Sequence, residues 1–187
     1  LNLLAIVTGN AHGIGLAISE DLRKLGYIVP VIDKPEYDLM ADGIVKLFKD
    51  YPECDVLCNN VGGMGRSKKE DWKDCMQKNY GIAFELTIHY LPKMIEKRFG
   101  RVITISSIHG VDYMGLPWFS AAKAAQIALN CSLARRCNGF NVNFNTICPS
   151  NINVKPGETY NLNPNDISKI VIELINSDRN GEVIIIK

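Results

Sequence analysis

The sequence lacks a cysteine motif, an excess of charge of one sign and a long apolar run, and each lack excludes a class of function. Cys54, Cys58, Cys75, Cys131, Cys137 and Cys148 include no Cys-x-x-Cys pair and no zinc spacing. Most sit in apolar surroundings and read as small hydrophobes, the reduced core thiols of a cytoplasmic protein. His12, His89 and His109 are too scattered for a metal site. Lys plus Arg (21) nearly balance Asp plus Glu (20), so no electrostatic footprint favours nucleic acid or an anionic membrane. No apolar run approaches the ~20 residues of a membrane span. The opening Leu1-Asn2-Leu3 has neither an initiator Met nor the regions of a signal peptide, which predicts that the first residues are trimmed.

What is there organises around Thr8 to Gly15, read Thr-Gly-Asn-Ala-His-Gly-Ile-Gly. Before it lies Leu3-Leu4-Ala5-Ile6-Val7, apolar in the manner of a strand buried on both faces of a parallel sheet. After it, Ile14, Ala17, Ile18, Leu22 and Leu25 recur at helical steps until Gly26. Strand, glycine-rich turn, helix is the setting in which free N–H groups and the helix dipole hold a phosphate.

Further along, Ile28-Val29-Pro30-Val31-Ile32 predicts a second strand ending on Asp33, an acidic residue placed to accept from ribose hydroxyls and repel a 2′-phosphate. Pro35 to Leu39 reads as a minimal third strand, with no room for a crossover helix before it. A helix is expected over about 41–51, and a strand over 55–59 running into Asn60-Val61-Gly62-Gly63. A long helix follows over roughly 70–98, with Ser67-x-x-Glu70 as a capping box and Pro92 inside it. Arg101 to Ser107 is a fifth strand, 119–137 an Ala-rich helix, and 141–149 a sixth strand. Asn163 caps a last helix with Pro164 at its first position, and Glu182 to Ile186 is a seventh strand. The alternation predicts one domain over 1–187: α/β, a doubly wound, Rossmann-like parallel sheet of about seven strands with helices on both faces.

These residues resemble the short-chain dehydrogenase/reductase family along essentially the whole chain. The family's glycine motif is matched at Thr8, Gly9, Gly13, Ile14 and Gly15, and its Asn-Asn-x-Gly turn at Asn59, Asn60 and Gly62. Its active-site Asn is matched at Asn79, its Ile-Ser-Ser at Ile105, Ser106 and Ser107, and its nicotinamide-side loop at Asn145, Pro149 and more loosely Ile152. The resemblance implies an NAD(H)-dependent oxidoreductase acting on a small-molecule carbonyl or alcohol. It implies catalytic positions at Asn79, Ser107, residue 119 and Lys123. The implied cofactor site comprises Gly9, Asn10, His12, Gly13, Ile14, Gly15, Asp33, Asp38, Leu39, Asn60, Val61, Gly62, Lys123, Pro149 and Ile152. It also implies a homodimer or homotetramer packed through the helices at about 70–98 and 119–137.

One departure outweighs the matches. The family's Tyr-x-x-x-Lys reads Phe119-Ser120-Ala121-Ala122-Lys123 here, so Phe119 stands where the resemblance puts the acid/base tyrosine. The ring is kept and the titratable oxygen is lost. Ser150 and Val154 replace the glycine and threonine of the nicotinamide-side loop, and the stretch from about 155 to 163 is short for a substrate lid. Two readings stay open. One is an oxidoreductase in which Tyr113, Tyr160, Tyr80 or His109 supplies the missing proton. The other is a dinucleotide-binding pseudoenzyme serving as a sensor or partner subunit. Intact phosphate-turn glycines, Asp33 and Lys123 argue against a structural subunit with no ligand.

Overall fold

The computed structural model describes residues 3–63, 72–152 and 162–187. Five strands, β1 (Ala5–Val7), β2 (Val56–Asn59), β3 (Gly100–Ile105), β4 (Val142–Pro149) and β5 (Val183–Ile186), form one parallel sheet in that spatial order. Register runs Ile6 to Leu57, Leu57 to Val102, Val102 to Phe144 and Ile147 to Ile184. The expected class is found.

Side chains of a strand alternate between faces, and both faces here are apolar. Ile6, Leu57, Val102 and Phe144 join a core with α2 (Gly43–Asp50), α4 (Ile82–Lys97) and the end of α6 (Pro117–Arg136). Ala5, Val7, Val56, Cys58, Ile103 and Ile147 join the opposite core with α1 (Gly13–Lys24) and α7 (Pro164–Ile175). Each fully buried Leu, Ile or Phe contributes about 1.5–3 kcal/mol. The Asn163 cap is present as read: its side chain accepts from Asn165 and Asp166 N–H groups, and the Asp166 carboxylate accepts from Asn163 N–H.

Two expected strands are not strands. Residues 28–32 lie beside β1 but pair there only as isolated bridges at its two ends, Leu4 to Ile28 and Thr8 to Ile32. Pro30 has no N–H to give a ladder, and Ile28 and Val31 are exposed, so the segment is an interrupted edge. The stretch 35–39 is a run of turns, closed by Tyr37 N–H on Asp33 O and by Gly43 N–H on Asp38 O. A parallel neighbour needs a crossover of a dozen or more residues, and none separates it from residue 32. Tyr37 and Leu39 are apolar because they plug the core from a turn.

The long helix differs too. It begins among the described residues as α3 (Trp72–Met76), widens into a π-turn over Gln77–Gly81 and resumes as α4, with Pro92 inside. The proposed capping box at Ser67 and Glu70 lies outside the described residues. A short helix, α5 (His109–Asp112), had no counterpart in the sequence reading.

Candidate functional site

From β1 the chain crosses through α1 to the 28–32 edge, then returns through α2 to β2 on the other side of β1. That reversal opens a crevice at the carboxyl ends of β1 and β2, where ligands of open α/β sheets bind. The turns after the two strands are stitched together there. Thr8 Oγ1 accepts from the Asn60 and Val61 N–H groups, each at 3.0 Å, and Asn60 Nδ2 donates to Thr8 O at 2.8 Å and Gly9 O at 3.2 Å.

Glycines make this turn possible. Gly9 (φ 67°) and Gly13 (φ 59°) occupy the left-handed region, which side chains disfavour. A Cβ on Gly15 would lie 2.3 Å from Gly9 O and 2.7 Å from Asn60 Nδ2, so only hydrogen lets α1 press against the turn. The N-terminus of α1 has no acidic residue in its first turn and no side-chain cap from His12, which is exposed. Its first N–H groups have no intrahelical acceptor, the condition under which a helix N-terminus receives an anion. This cradle fits a pyrophosphate.

Asp33 lies half-buried at the rim, its Oδ2 accepting from Ala11 N–H at 3.0 Å and its Oδ1 from Lys34 N–H at 2.8 Å. Asn10 takes a different part from the one expected. Its Nδ2 donates to Pro30 O (2.8 Å) and Ser19 Oγ (3.0 Å), and its Oδ1 accepts from Ile32 N–H (2.7 Å). The amide thus replaces the ladder that Pro30 interrupts. Asp38 pairs with Lys34 at 2.9 Å, and Leu39 is buried in the core. Ile152 bridges to Leu162 on the far side of the β4 loop.

Beyond the turn lies a cavity of about 180 Å³ that brings Ile14, Asn60 and Gly62 together with Ser107, Phe119 and Lys123, and with Pro149 and Ser150 on its β4 side. Four residues apart on α6, Phe119 and Lys123 share one face. The Lys123 ammonium is buried, donates to Ile105 O at 3.0 Å and Gln126 Oε1 at 3.2 Å, and lies 5.8 Å from the Phe119 ring centre. Burial holds its pKa down to about 8, because a dry environment disfavours the charged form.

Asn79 sits in the π-turn, a distortion that aims its carbonyl out of the helical ladder. Its Oδ1 accepts from Gly63 N–H at 2.8 Å, its Nδ2 donates to Cys75 O at 3.0 Å, and its backbone carbonyl accepts from Gln126 Nε2. A Cβ on Gly62 would come within 2.7 Å of Asn79 Oδ1 and 3.1 Å of Lys123 Nζ, so this glycine keeps the floor of the cavity thin. Gln126 was not foreseen as a site residue. The available signal was a lone amide three residues after Lys123 on an Ala-rich helix.

On the rim, Ser107 Oγ accepts from His109 N–H at 3.2 Å. The His109 ring meets Phe119 edge to face, centroids 6.3 Å apart, and its Nδ1 lies 3.2 Å from Asp112 Oδ1. Of the other candidate donors, Tyr80 packs on Phe84 and Tyr113 is exposed. Tyr160 and Val154 lie outside the described residues. Among the described residues no group of three His, Cys, Asp or Glu side chains is placed to hold a metal, and no helix is long and apolar enough to cross a membrane.

Comparison with known proteins agrees with this geometry. Residues 36–164 match the short chain dehydrogenase family. The chain is 31% identical to an uncharacterized oxidoreductase, YvaG, of Bacillus subtilis, over 83% of this chain and 70% of that protein. It is 31% identical to an acetoacetyl-CoA reductase of Rhizobium meliloti, over 81% of this chain and 75% of that one. To a 3-oxoacyl-(acyl-carrier-protein) reductase of Haemophilus influenzae it is 29% identical, over 78% and 72% of the two chains. A solved oxidoreductase of the short chain dehydrogenase/reductase family from Burkholderia thailandensis superposes with a TM-score of 0.83 at 20% identity, covering 100% of this chain and 91% of that one; this shows the fold alone.

Proposed function

The chain belongs to the short-chain dehydrogenase family, and on that premise we propose that it is an NAD(H)-dependent oxidoreductase acting on a small-molecule carbonyl or alcohol. The observation that carries this reading is the cavity that joins the phosphate cradle, through Ile14 and Gly62, to Ser107 and the buried Lys123. A nicotinamide dinucleotide, when bound, supplies two electrons and a hydrogen to a carbonyl carbon or takes them from an alcohol. Gly9, Gly13, Ile14 and Gly15 hold its pyrophosphate, Asp33 its adenosine ribose, and Asn60, Val61 and Gly62 line its path. Pro149 borders the nicotinamide end.

Lys123 spends two of its three donors on Ile105 O and Gln126 Oε1, which leaves one for a ribose hydroxyl. Ser107 donates a hydrogen bond to the substrate oxygen. Asn79, clamped by Gly63, Cys75 and Gln126, fixes the floor on which Lys123 is aimed. Phe119 takes the place of the family's acid/base hydroxyl, so it excludes water and transfers no proton.

That loss favours a second reading, a protein that binds NAD(H) and does not turn over, acting as a sensor or partner subunit. Calorimetric titration of NADH and NADPH, run beside turnover of acetoacetyl-CoA and a panel of simple ketones, separates the two. Tight NADH binding with turnover supports the oxidoreductase; binding with silence on every substrate supports the second reading; no binding of either nucleotide defeats both.

A further inference from the structure

We propose that the His109 imidazole, oriented by Asp112, is the proton donor and acceptor of this site. The proposal rests on the oxidoreductase reading above and names the group that performs its acid step.

The carbonyl oxygen of a substrate needs a proton as its carbon is reduced, and the groups lining the cavity supply none easily. Phe119 has no titratable atom. Lys123 is sealed from solvent at 3% exposure and bound to Ile105 O and Gln126 Oε1, so a proton it gave up would not readily be replaced. Ser107 carries a hydroxyl far too weakly acidic to act alone.

His109 has what these lack. Its backbone N–H is anchored on Ser107 Oγ at 3.2 Å, which sets the start of α5 against the residue that would touch the substrate oxygen. The ring edge packs on Phe119, with centroids 6.3 Å apart and planes at 70°. The side chain remains 27% exposed, open to reprotonation from water. Gly115 makes room for it: a Cβ there would stand 3.0 Å from His109 Cγ and 3.1 Å from Ser120 Oγ.

Asp112 settles which nitrogen works. Its Oδ1 lies 3.2 Å from His109 Nδ1 and accepts from Met114 N–H at 2.9 Å. The Met114 N–H, with His109 as a lesser contributor, holds the Asp112 carboxyl below its usual range, so it stays ionised. A carboxylate only accepts, hence Nδ1 carries the hydrogen and Nε2 is the exchanging atom. A carboxylate behind an imidazole fixes its tautomer and ring orientation. Other charges around the pair are Lys123 of α6, beyond the Phe119 ring, and Lys187, which acts on Asp112.

The step balances. In reduction the carbonyl carbon gains a hydrogen with two electrons from the reduced nicotinamide dinucleotide, and the oxygen gains the Nε2 proton of the imidazolium. An alcohol forms, the imidazole is left neutral, and water returns the proton. Oxidation is the reverse.

The test follows NADH consumption with acetoacetyl-CoA and ethyl acetoacetate across pH, with NADH affinity measured separately by calorimetry. His109→Gln should lower kcat by about 10²–10³ at unchanged NADH affinity, and remove one limb of the pH profile. Asp112 is a positioning residue; Asp112→Asn should lower kcat about tenfold while leaving KM and NADH affinity unchanged, a split that lost packing would not produce. The double variant His109→Gln/Phe119→Tyr should regain rate, which shows that the fold and cofactor site survived. A His109→Gln enzyme as fast as the parent, with the same pH profile, overturns the proposal. So does a parent that binds NADH yet is silent, whether or not Phe119→Tyr wakes it. Failure to bind NADH defeats the oxidoreductase reading itself, which is a different outcome.

Discussion

The Lys123 ammonium lies 5.8 Å from the centre of the Phe119 ring, one helical turn along the same face of α6. Phe119→Tyr adds one hydroxyl to a ring already in place beside a cation. An ammonium favours a phenolate, so the new phenol should ionise below the ordinary tyrosine value of about 10, and Lys123 should hold its proton to higher pH in return. Difference absorbance between variant and parent checks this without any substrate. In the His109→Gln background the hydroxyl should raise turnover by about 10²–10⁴-fold. A phenol that ionises at or above the ordinary value would mean that the pair does not communicate.

Asp33 is expected to govern the choice of nucleotide. Its carboxylate is held by the Ala11 and Lys34 N–H groups, while the Lys34 ammonium is engaged by Asp38. A 2′-phosphate brought against it should cost about 2 kcal/mol, roughly thirtyfold in affinity. Calorimetry should therefore find NADH bound more tightly than NADPH, and Asp33→Ala should narrow the gap. Tighter NADPH binding by the parent would sink the claim.

How far the sequence could be read depended on whether a feature was local. Thr8 to Gly15 was legible because its glycines encode left-handed backbone and close approach, and Asn163-Pro164 because caps are spelled within four residues. The 28–32 segment was legible as apolar, yet Pro30 denied it a ladder and Asn10 took over the hydrogen bonds from 22 residues away in the case of Ile32. Tyr37 and Leu39 mimicked a strand because alternating burial arises equally in a turn that plugs a core. In the site, Phe119 and Lys123 were found through the family's Tyr-x-x-x-Lys pattern, and helical spacing then put them on one face. The Gln126 amide on Asn79 O joins residues 47 apart and depends on the π-turn, which no periodicity announces. Asp112 escaped because α5 is four residues long, too short to show a pattern.

Gly15 tolerates no side chain. With backbone oxygen of Gly9 2.3 Å from a Cβ, relief requires moving the turn itself rather than a flexible side chain. Gly15→Ala should destabilise the fold by about 1–3 kcal/mol through overpacking and abolish nucleotide binding. Thermal unfolding with and without NADH reads both effects. A variant with parental melting temperature and an intact NADH shift would show that the cradle is looser than described.

Association should occur through α4 and α6. Phe84 (39% exposed) and Ile88 (42%) stand one turn apart on α4, and Ala121 and Ala128 are exposed on α6, small enough for close helix approach. Sedimentation should give a dimer or tetramer at micromolar concentration, and Phe84→Glu should shift it toward monomer. A monomeric parent contradicts the expectation.

The buried ammonium of Lys123 also ties stability to pH, with a sign that can be worked out. Its folded pKa is lowered by burial from 10.5 to about 8. Between those values the unfolded chain holds the proton that the folded protein has released, so this group's contribution to stability rises with pH across that window. Below the window the penalty is complete, about 3 kcal/mol, and above it the penalty is gone. Cys54, Cys58, Cys137 and Cys148 push the other way: burial raises their pKa, so the unfolded chain loses their protons first. The total curve therefore hides the lysine, and the difference between parent and Lys123→Met exposes it. Met leaves Ile105 O and Gln126 Oε1 without their donor, a cost that does not vary with pH and so leaves the slope intact. Denaturant unfolding at pH 7.5, 9 and 10.5 should show the variant losing about 3 kcal/mol relative to the parent as pH rises. A flat difference would mean that Lys123 is hydrated or already neutral at pH 7.5, and its single remaining donor would then be a poor anchor for a ribose.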